Sequence, residues 1–292
     1  MPIDEPAPPV SNTVGRLLVI AAAVLWSSSG FFAKAPTFSS WPIESRGILF
    51  AFWRALFAAL ILVLFVRKIR WTWRLLPLMV VFVLMNWTYL SGMVYCESSL
   101  AIWLQYTAPA WVFLGAWALW KEIPKHNDWL MLGFAAIGVA IILSAKMSGA
   151  SSIGVWYGLA SGVFFASVVL CLRSLRDLDS AWLIFLAHAV TAAALAPFAV
   201  GGETWPQGKQ WLYLALFGSV QMGIPYVLFS QALKRISSHQ ASGLTLLEPV
   251  LVPLWVWLAW RQAPDYEYPA VTTVMGAALI LAGLLVSYRK TK

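Results

Sequence analysis

The chain has 292 residues, of which 61% are hydrophobic and only 11% charged, with a mean hydropathy of +0.76. Soluble domains carry charge on nearer a quarter of their residues, so this composition excludes one and describes an all-α polytopic membrane protein. The net charge of +8 would suggest a nucleic-acid partner in a soluble chain. Here the basic residues collect in short loops between apolar spans, where they set orientation, and nucleic acid is excluded.

In chain order, residues 1–15 (MPIDEPAPPVSNTVG) are Pro-rich, acidic and without an apolar core, so a short disordered cytoplasmic tail is expected there and not a cleavable signal. Apolar runs of about twenty residues, bounded by charge, Pro or Gly, then predict ten spans: 16–35, 46–66, 73–95, 98–120, 128–146, 153–173, 181–200, 211–233, 237–260 and 268–288. Residues 289–292 form a second short tail. Several loops are under ten residues, so function is expected inside the helical bundle. Cys96 and Cys171 stand far apart without metal-ligand spacing and read as packing residues, and no cofactor is expected.

The fourth span is the clearest. Between Glu97 and Lys121 run twenty-three uncharged residues, SSLAIWLQYTAPAWVFLGAWALW, a helix rise of roughly 34 Å at about 1.5 Å per residue. The same text returns 140 positions later. Ser98, Ala101, Leu104, Pro109, Trp117, Trp120 and Pro124 recur as Ser238, Ala241, Leu244, Pro249, Trp257, Trp260 and Pro264. Identities at one fixed offset, two Trp among them, predict a duplicated unit, 16–146 and 153–288. With five spans per copy, the second copy enters the membrane inverted, an arrangement from which transporters are built around a midplane site. The predicted fold is therefore ten transmembrane helices in two inverted five-helix repeats around a central cavity.

Lys and Arg set the orientation. With a cytoplasmic N-terminus, fourteen fall on the inner side and five, Lys34, Arg46, Lys146, Lys209 and Arg261, on the outer, leaving Arg54 inside a span. Both termini are accordingly expected in the cytoplasm.

The stretches LLVIAAAVLWSSSGFFAK, FWRALFAALILVLFVRK, SSLAIWLQYTAPAWVFLGAWALWKEIP and SSHQASGLTLLEPVLVPLWVWLAW resemble the paired domains of the drug/metabolite transporter superfamily, the EamA-type permeases. The likeness extends over nearly the whole chain, and within it the Trp-rich fourth span is similar to bacterial aromatic amino acid exporters. It implies outward carriage of small metabolites, amino acids above all, by a multi-pass protein of the bacterial inner membrane, expected as a monomer in the lipid bilayer. Family members often end the fourth and ninth spans with Glu; here Glu122 is present but its counterpart is Gln262.

Arg54 is the cation placed within a span, where an isolated charge costs about 2.5–3.5 kcal/mol on insertion scales, so it is expected to face the bundle interior or water. It reads either as a substrate-carboxylate or gating contact or as a snorkelled or ion-paired structural Arg. Glu248, in LLEPVLVP, is the matching anion, expected to neutralise Arg54, to take up a proton for coupling, or to hold a substrate ammonium. His188 stands opposite Arg54 in the repeat and reads as a packed His or a proton relay. Pro109 and Pro249 occupy equivalent places, each freeing a carbonyl beside the cavity. Trp26, Asn86, Tyr89, Trp103, Tyr106, Phe165, Gln221 and Tyr226 lie at mid-span and, with Arg54, are the candidate substrate-binding residues. An aromatic wall with a few amides suits a zwitterion bearing an apolar side chain. Trp41, Trp71, Trp73, Trp129, Trp205, Trp211 and Trp260 sit at span ends and read as interfacial anchors. No phosphate-binding GxxxxGK[ST] loop, HExxH or GxSxG occurs, so a nucleotide-driven pump and an intramembrane enzyme are disfavoured, as is a receptor without extramembrane domains. The same scaffold would also serve amines, drugs or nucleotide-linked metabolites.

Overall fold

A computed structural model describes residues 12–121, 126–146, 151–233, 235–236, 244–264 and 266–288. All regular structure among them is helical. Six helical stretches are long and apolar enough to cross a bilayer, Thr13–Ala33, Ile43–Phe65, Leu75–Tyr95, Ser152–Ser174, Ser180–Val200 and Gln210–Ala232, with shorter apolar helices at Trp129–Ser144, Leu247–Trp260 and Val271–Val286.

Local chemistry explains where the helices break. The first predicted span is two helices, α1 (Asn12–Ser27) and α2 (Ser29–Ala33). At the junction the hydroxyls of Ser27 and Ser28 donate to the carbonyls of Val24 and Leu25, both at 2.7 Å, competing with the helical pattern. Helix α1 begins at Asn12, so the tail expected over 1–15 gives its last four residues to the helix; residues 1–11 lie outside the described ones. After α3 (Ile43–Leu62) and α4 (Leu75–Tyr95), the fourth span is also two pieces, α5 (Ser98–Gln105) and α6 (Ala108–Trp120). Pro109 has no N–H for the carbonyl four residues back, and the chain pivots at Tyr106 and Thr107.

The remaining helices are α7 (His126–Lys146), α8 (Ser151–Ser174), α9 (Ser180–Val200), α10 (Gln210–Gly218), a π turn over Ser219–Gly223, α11 (Ile224–Leu233), α12 (Leu247–Trp260) and α13 (Val271–Tyr288). Pro249 stands at the start of α12, so the ninth span is interrupted at Leu246, the position matching Tyr106 in the repeat. Pro109 and Pro249 thus each follow a helix break at equivalent places in the two copies.

The packing partners reproduce the duplication. Helix α4 packs on α8 as α11 packs on α1; α5 meets α8 as α12 meets α1; α3 pairs with α9 and α7 with α13. Exchanging the two copies maps this set onto itself. Contact at the α7–α13 pair is closest at two glycines, where a Cβ on Gly276 would stand 2.5 Å from the Gly138 carbonyl oxygen. Because that obstacle is backbone, Gly276→Leu is expected to cost about 1–3 kcal/mol or more through overpacking. The purified protein should then show a clearly lower melting temperature in detergent, whereas substitution at Gly133, which has nothing near it, should not.

Two tryptophan assignments change: Trp260 is half-buried, its Nε1 donating inward to the Phe31 carbonyl at 2.8 Å, and Trp41 departs further from an anchor. Trp41 is 3% exposed, packed edge-on against Phe38 at 4.8 Å, and its Nε1 donates to Gln210 Oε1 at 3.3 Å. It is a core residue tying the α2–α3 connection to α10, not an interfacial anchor. Trp71, Trp73, Trp129, Trp205 and Trp211 are exposed, as membrane-surface anchors should be.

Candidate functional site

Helix α3 carries Arg54 into the core, 2% exposed, where α10 lies directly against it: a Cβ on Gly218 would stand 2.6 Å from the Arg54 carbonyl oxygen. The guanidinium Nη2 donates to Asn86 Oδ1 at 2.6 Å, and Asn86 is held by its Nδ2 bond to the Phe82 carbonyl at 3.0 Å. Two rings flank the cation, Tyr89 at 5.7 Å and Phe217 at 5.2 Å from the guanidinium carbon. Tyr89 is from the first copy and Phe217 from the second, and cation–π contact of this kind offsets part of the desolvation cost. The Tyr89 hydroxyl is in turn hydrogen-bonded to Ser29 at 2.9 Å.

The second copy supplies the other side of the cluster. Trp26 meets Tyr226 edge-on at 5.2 Å and Phe229 at 5.4 Å, and its carbonyl accepts from Gln221 Nε2 at 2.8 Å. His188 is fully buried between Phe82 at 4.9 Å and Tyr226 at 6.1 Å. The repeat is visible in these contacts, since Arg54 touches Asn86 as its counterpart His188 touches Tyr226. Gln221 lies in the π turn, a local widening of the helix often found at functional sites.

Among the described residues, the buried side-chain polar atoms without a hydrogen-bond partner are Trp53 Nε1, Arg54 Nε, both ring nitrogens of His188 and Gln221 Oε1. They stand on α3 and on two elements packed against it, α9 and the π turn. Unpaired polar groups in a core are costly; those of Arg54, His188 and Gln221 lie around the central cluster, whereas Trp53 packs outward against Trp205 and Trp211.

Glu248 does not neutralise Arg54 by direct contact, as one sequence expectation had it. No ion pair joins them: Glu248 Oε2 accepts from the Tyr106 hydroxyl at 2.9 Å while Arg54 turns to Asn86. The two charges remain near enough to act on one another. Tyr106 also donates to the Thr245 carbonyl at 3.0 Å, the very carbonyl that Pro249 cannot serve four residues on. Thus the two helix interruptions, one from each copy, are joined through a single tyrosine. Trp103 packs against Tyr106 with ring centroids 6.4 Å apart. Phe165, by contrast, belongs to a neighbouring apolar cluster with Leu75, Leu78 and Leu186.

Beyond the central cluster, the end of the bundle formed by residues 33–46, 94–99 and 253–269 holds a cavity of about 580 Å³. Lys34, Arg46, Tyr95, Glu97, Trp260 and Glu267 are in its wall. Sequence reading passed over Glu97, which looked like a span boundary. It is 5% exposed, and its carboxylate accepts from Ala270 N–H at 3.2 Å and Thr273 Oγ1 at 3.0 Å, so it caps the start of α13 from the other copy. Ser29, Phe217 and Gln210 were also missed. None carries a sequence signal beyond its ordinary residue type. Glu122, noted for its unmatched counterpart, lies outside the described residues.

The profile of the EamA-like transporter family matches the chain twice, over residues 13–144 and 152–289. The chain belongs to the EamA-like transporter family. It is a multi-pass membrane transporter. An uncharacterized transporter of Archaeoglobus fulgidus is 28% identical over 204 residues, 70% of this chain and 72% of that protein. Another, from Synechocystis, is 24% identical over 177 residues, 58% of this chain and 54% of its own length. A solved crystal structure superposes with a TM-score of 0.65 at 18% identity, covering 95% of this EamA chain and 98% of the other. That likeness shows a shared fold.

Proposed function

We propose that this EamA-family protein is a secondary transporter that exports amino acids, aromatic and other apolar ones above all, by alternating access between two inverted five-helix halves. The observation carrying this reading is the separation of two charges, the buried Arg54 and the half-buried Glu248. Arg54 and Glu248 share one neighbourhood and each has a neutral partner, Asn86 and Tyr106, so neither is spent on the other. A substrate carboxylate takes the free donors of the Arg54 fork and its ammonium faces Glu248. The rings of Trp26, Tyr89, Trp103 and Tyr226 line the apolar side chain, and Pro109 and Pro249 mark the hinges about which α6 and α12 move.

In this reading ten helices cross the bacterial inner membrane with both termini in the cytoplasm, and the protein works as a monomer. The large cavity then opens to the outer side, so the conformation described is outward-facing. At the inner end, Arg74 and Asp177 pair at 3.3 Å and Trp182 Nε1 donates to the Arg70 carbonyl at 3.1 Å, contacts that join the two copies on that side. His188 is fully buried and next to the Arg54 cation, both of which oppose charging its ring, so proton coupling would fall to Glu248.

The test is counterflow of labelled amino acids in proteoliposomes, with and without a pH gradient. Accumulation of phenylalanine or tryptophan by wild-type protein is expected; none with any amino acid, alongside flux of amines or nucleotide-linked solutes, would overturn the substrate reading. Trp103→Ala is expected to weaken aromatic substrates by about 0.5–1.5 kcal/mol, roughly twofold to tenfold in half-saturation, while alanine exchange changes little. An unchanged profile would remove Trp103 from the site.

A further inference from the structure

The cavity walled by residues 33–46, 94–99 and the end of α12 is not the central cluster, and its wall has the makings of a second site. Lys34 terminates α2, half-buried, and among the described residues its ammonium makes no hydrogen bond and no ion pair. Glu267, exposed in the segment between α12 and α13, likewise has no partner there, though it is close enough to Lys34 for their charges to interact. The other two charges of the wall are already engaged. Arg46 donates to the carbonyls of Trp41 at 2.5 Å and Ser39 at 3.0 Å, and Glu97 caps α13. Among the described residues, an unpaired cation from the first copy and an unpaired anion from the second therefore stand in the wall of the same cavity.

Aromatic surface completes it. Tyr95 and Tyr266 line the cavity, and Trp260 is fixed there by its Nε1 bond to the Phe31 carbonyl at 2.8 Å and by stacking on Phe31 at 5.1 Å. A volume of about 580 Å³ lies within the roughly 300–1,000 Å³ usual for small-molecule sites. Burial holds the Lys34 ammonium below the ordinary lysine value, while the nearby Glu267 and Glu97 act in the opposite sense.

We infer that this vestibule is a second substrate site, in which a zwitterionic amino acid rests with its carboxylate on Lys34, its ammonium towards Glu267 and its side chain against Trp260 and Tyr95. The inference rests on the amino acid reading above and adds a station on the outer side of the route. A site divided between the copies is assembled when the outer end is open and dismantled when it closes, so release and closure are coupled.

The test is protection of an introduced thiol. Ser39, exposed in the cavity wall, is replaced by Cys in protein with Cys96→Ala and Cys171→Ala, and the purified full chain is treated with a hydrophilic maleimide. A site of about 1 mM affinity is ~90% occupied at about 10 mM phenylalanine, so modification should slow roughly tenfold. Phenylacetate and phenethylamine, each with half of the zwitterion, should protect far less. Lys34→Met should abolish protection in a monodisperse protein and Lys34→Arg should retain it, while Arg54→Ala, which disables the central cluster, should leave it intact.

Protection lost in Arg54→Ala but kept in Lys34→Met would overturn the vestibule site and reassign the effect to the centre. Equal protection by phenylacetate would also overturn it. A protein that exchanges phenylalanine in liposomes without Lys34-dependent protection loses the vestibule site alone. One that protects without exchanging keeps that site and loses the carrier reading, and one that does neither loses both.

Discussion

Arg54→Ala is expected to lower amino acid counterflow by roughly a hundredfold while the protein still folds. The rate effect follows from the donors lost: a charge-assisted hydrogen bond is worth about 1.5–3 kcal/mol, and a bidentate carboxylate contact makes two. The folding effect follows from what Arg54 touches. Its hydrogen-bond partner is the neutral Asn86, so truncation strands no buried ion, only the Oδ1 of an amide still held through Nδ2. Removing one member of a buried ion pair would cost about 3–5 kcal/mol, and that penalty does not arise here. Arg54→Lys keeps the charge without the fork and should fall between. Counterflow read beside size-exclusion monodispersity checks both halves. Normal flux in the Ala variant would remove Arg54 from the site, and an aggregated Ala variant rescued by Lys would show that its role is structural.

Glu248→Gln should act on the other end of the substrate. The amide oxygen of Gln can still accept the Tyr106 hydroxyl, so the link between the two helix breaks is retained and only the charge is lost. Half-saturation for phenylalanine is expected to rise by about tenfold or more, the worth of one charged contact, while inhibition by phenylacetate, which has no ammonium, should change little. Equal losses for both ligands would mean that Glu248 does not face the ammonium. Tyr106→Phe is the companion change: it leaves the carboxylate charged but loose and frees the Thr245 carbonyl.

Much of this architecture is legible in the residues because bilayer crossing demands long apolar runs, and because Pro109 and Pro249 announce helix breaks through a missing N–H. The duplication is legible for the same reason, its landmarks being Trp and Pro at one offset. Lateral relations are not. Counting along a span gives the depth of Arg54 and Glu248 but not the direction in which either side chain points, so they were expected to meet, and instead each meets a neighbour. Glu97 marks a span boundary in the sequence, yet its use as the cap of α13, more than 170 positions on, depends on the fold. Trp41 at a span end has the composition of an anchor and is drawn inward by Gln210. The π turn at Ser219–Gly223 has no compositional mark, although it positions Gln221 against Trp26.

The central claim is that one zwitterion lies between a cation held by Asn86 and an anion held by Tyr106. A structure of the protein with bound phenylalanine tests it most directly. The account predicts the carboxylate within hydrogen-bonding distance of the Arg54 guanidinium, the ammonium towards Glu248 and the ring among Trp26, Tyr89, Trp103 and Tyr226. Phenylalanine bound away from Arg54, or a direct ion pair between Arg54 and Glu248 with the ligand elsewhere, would contradict it.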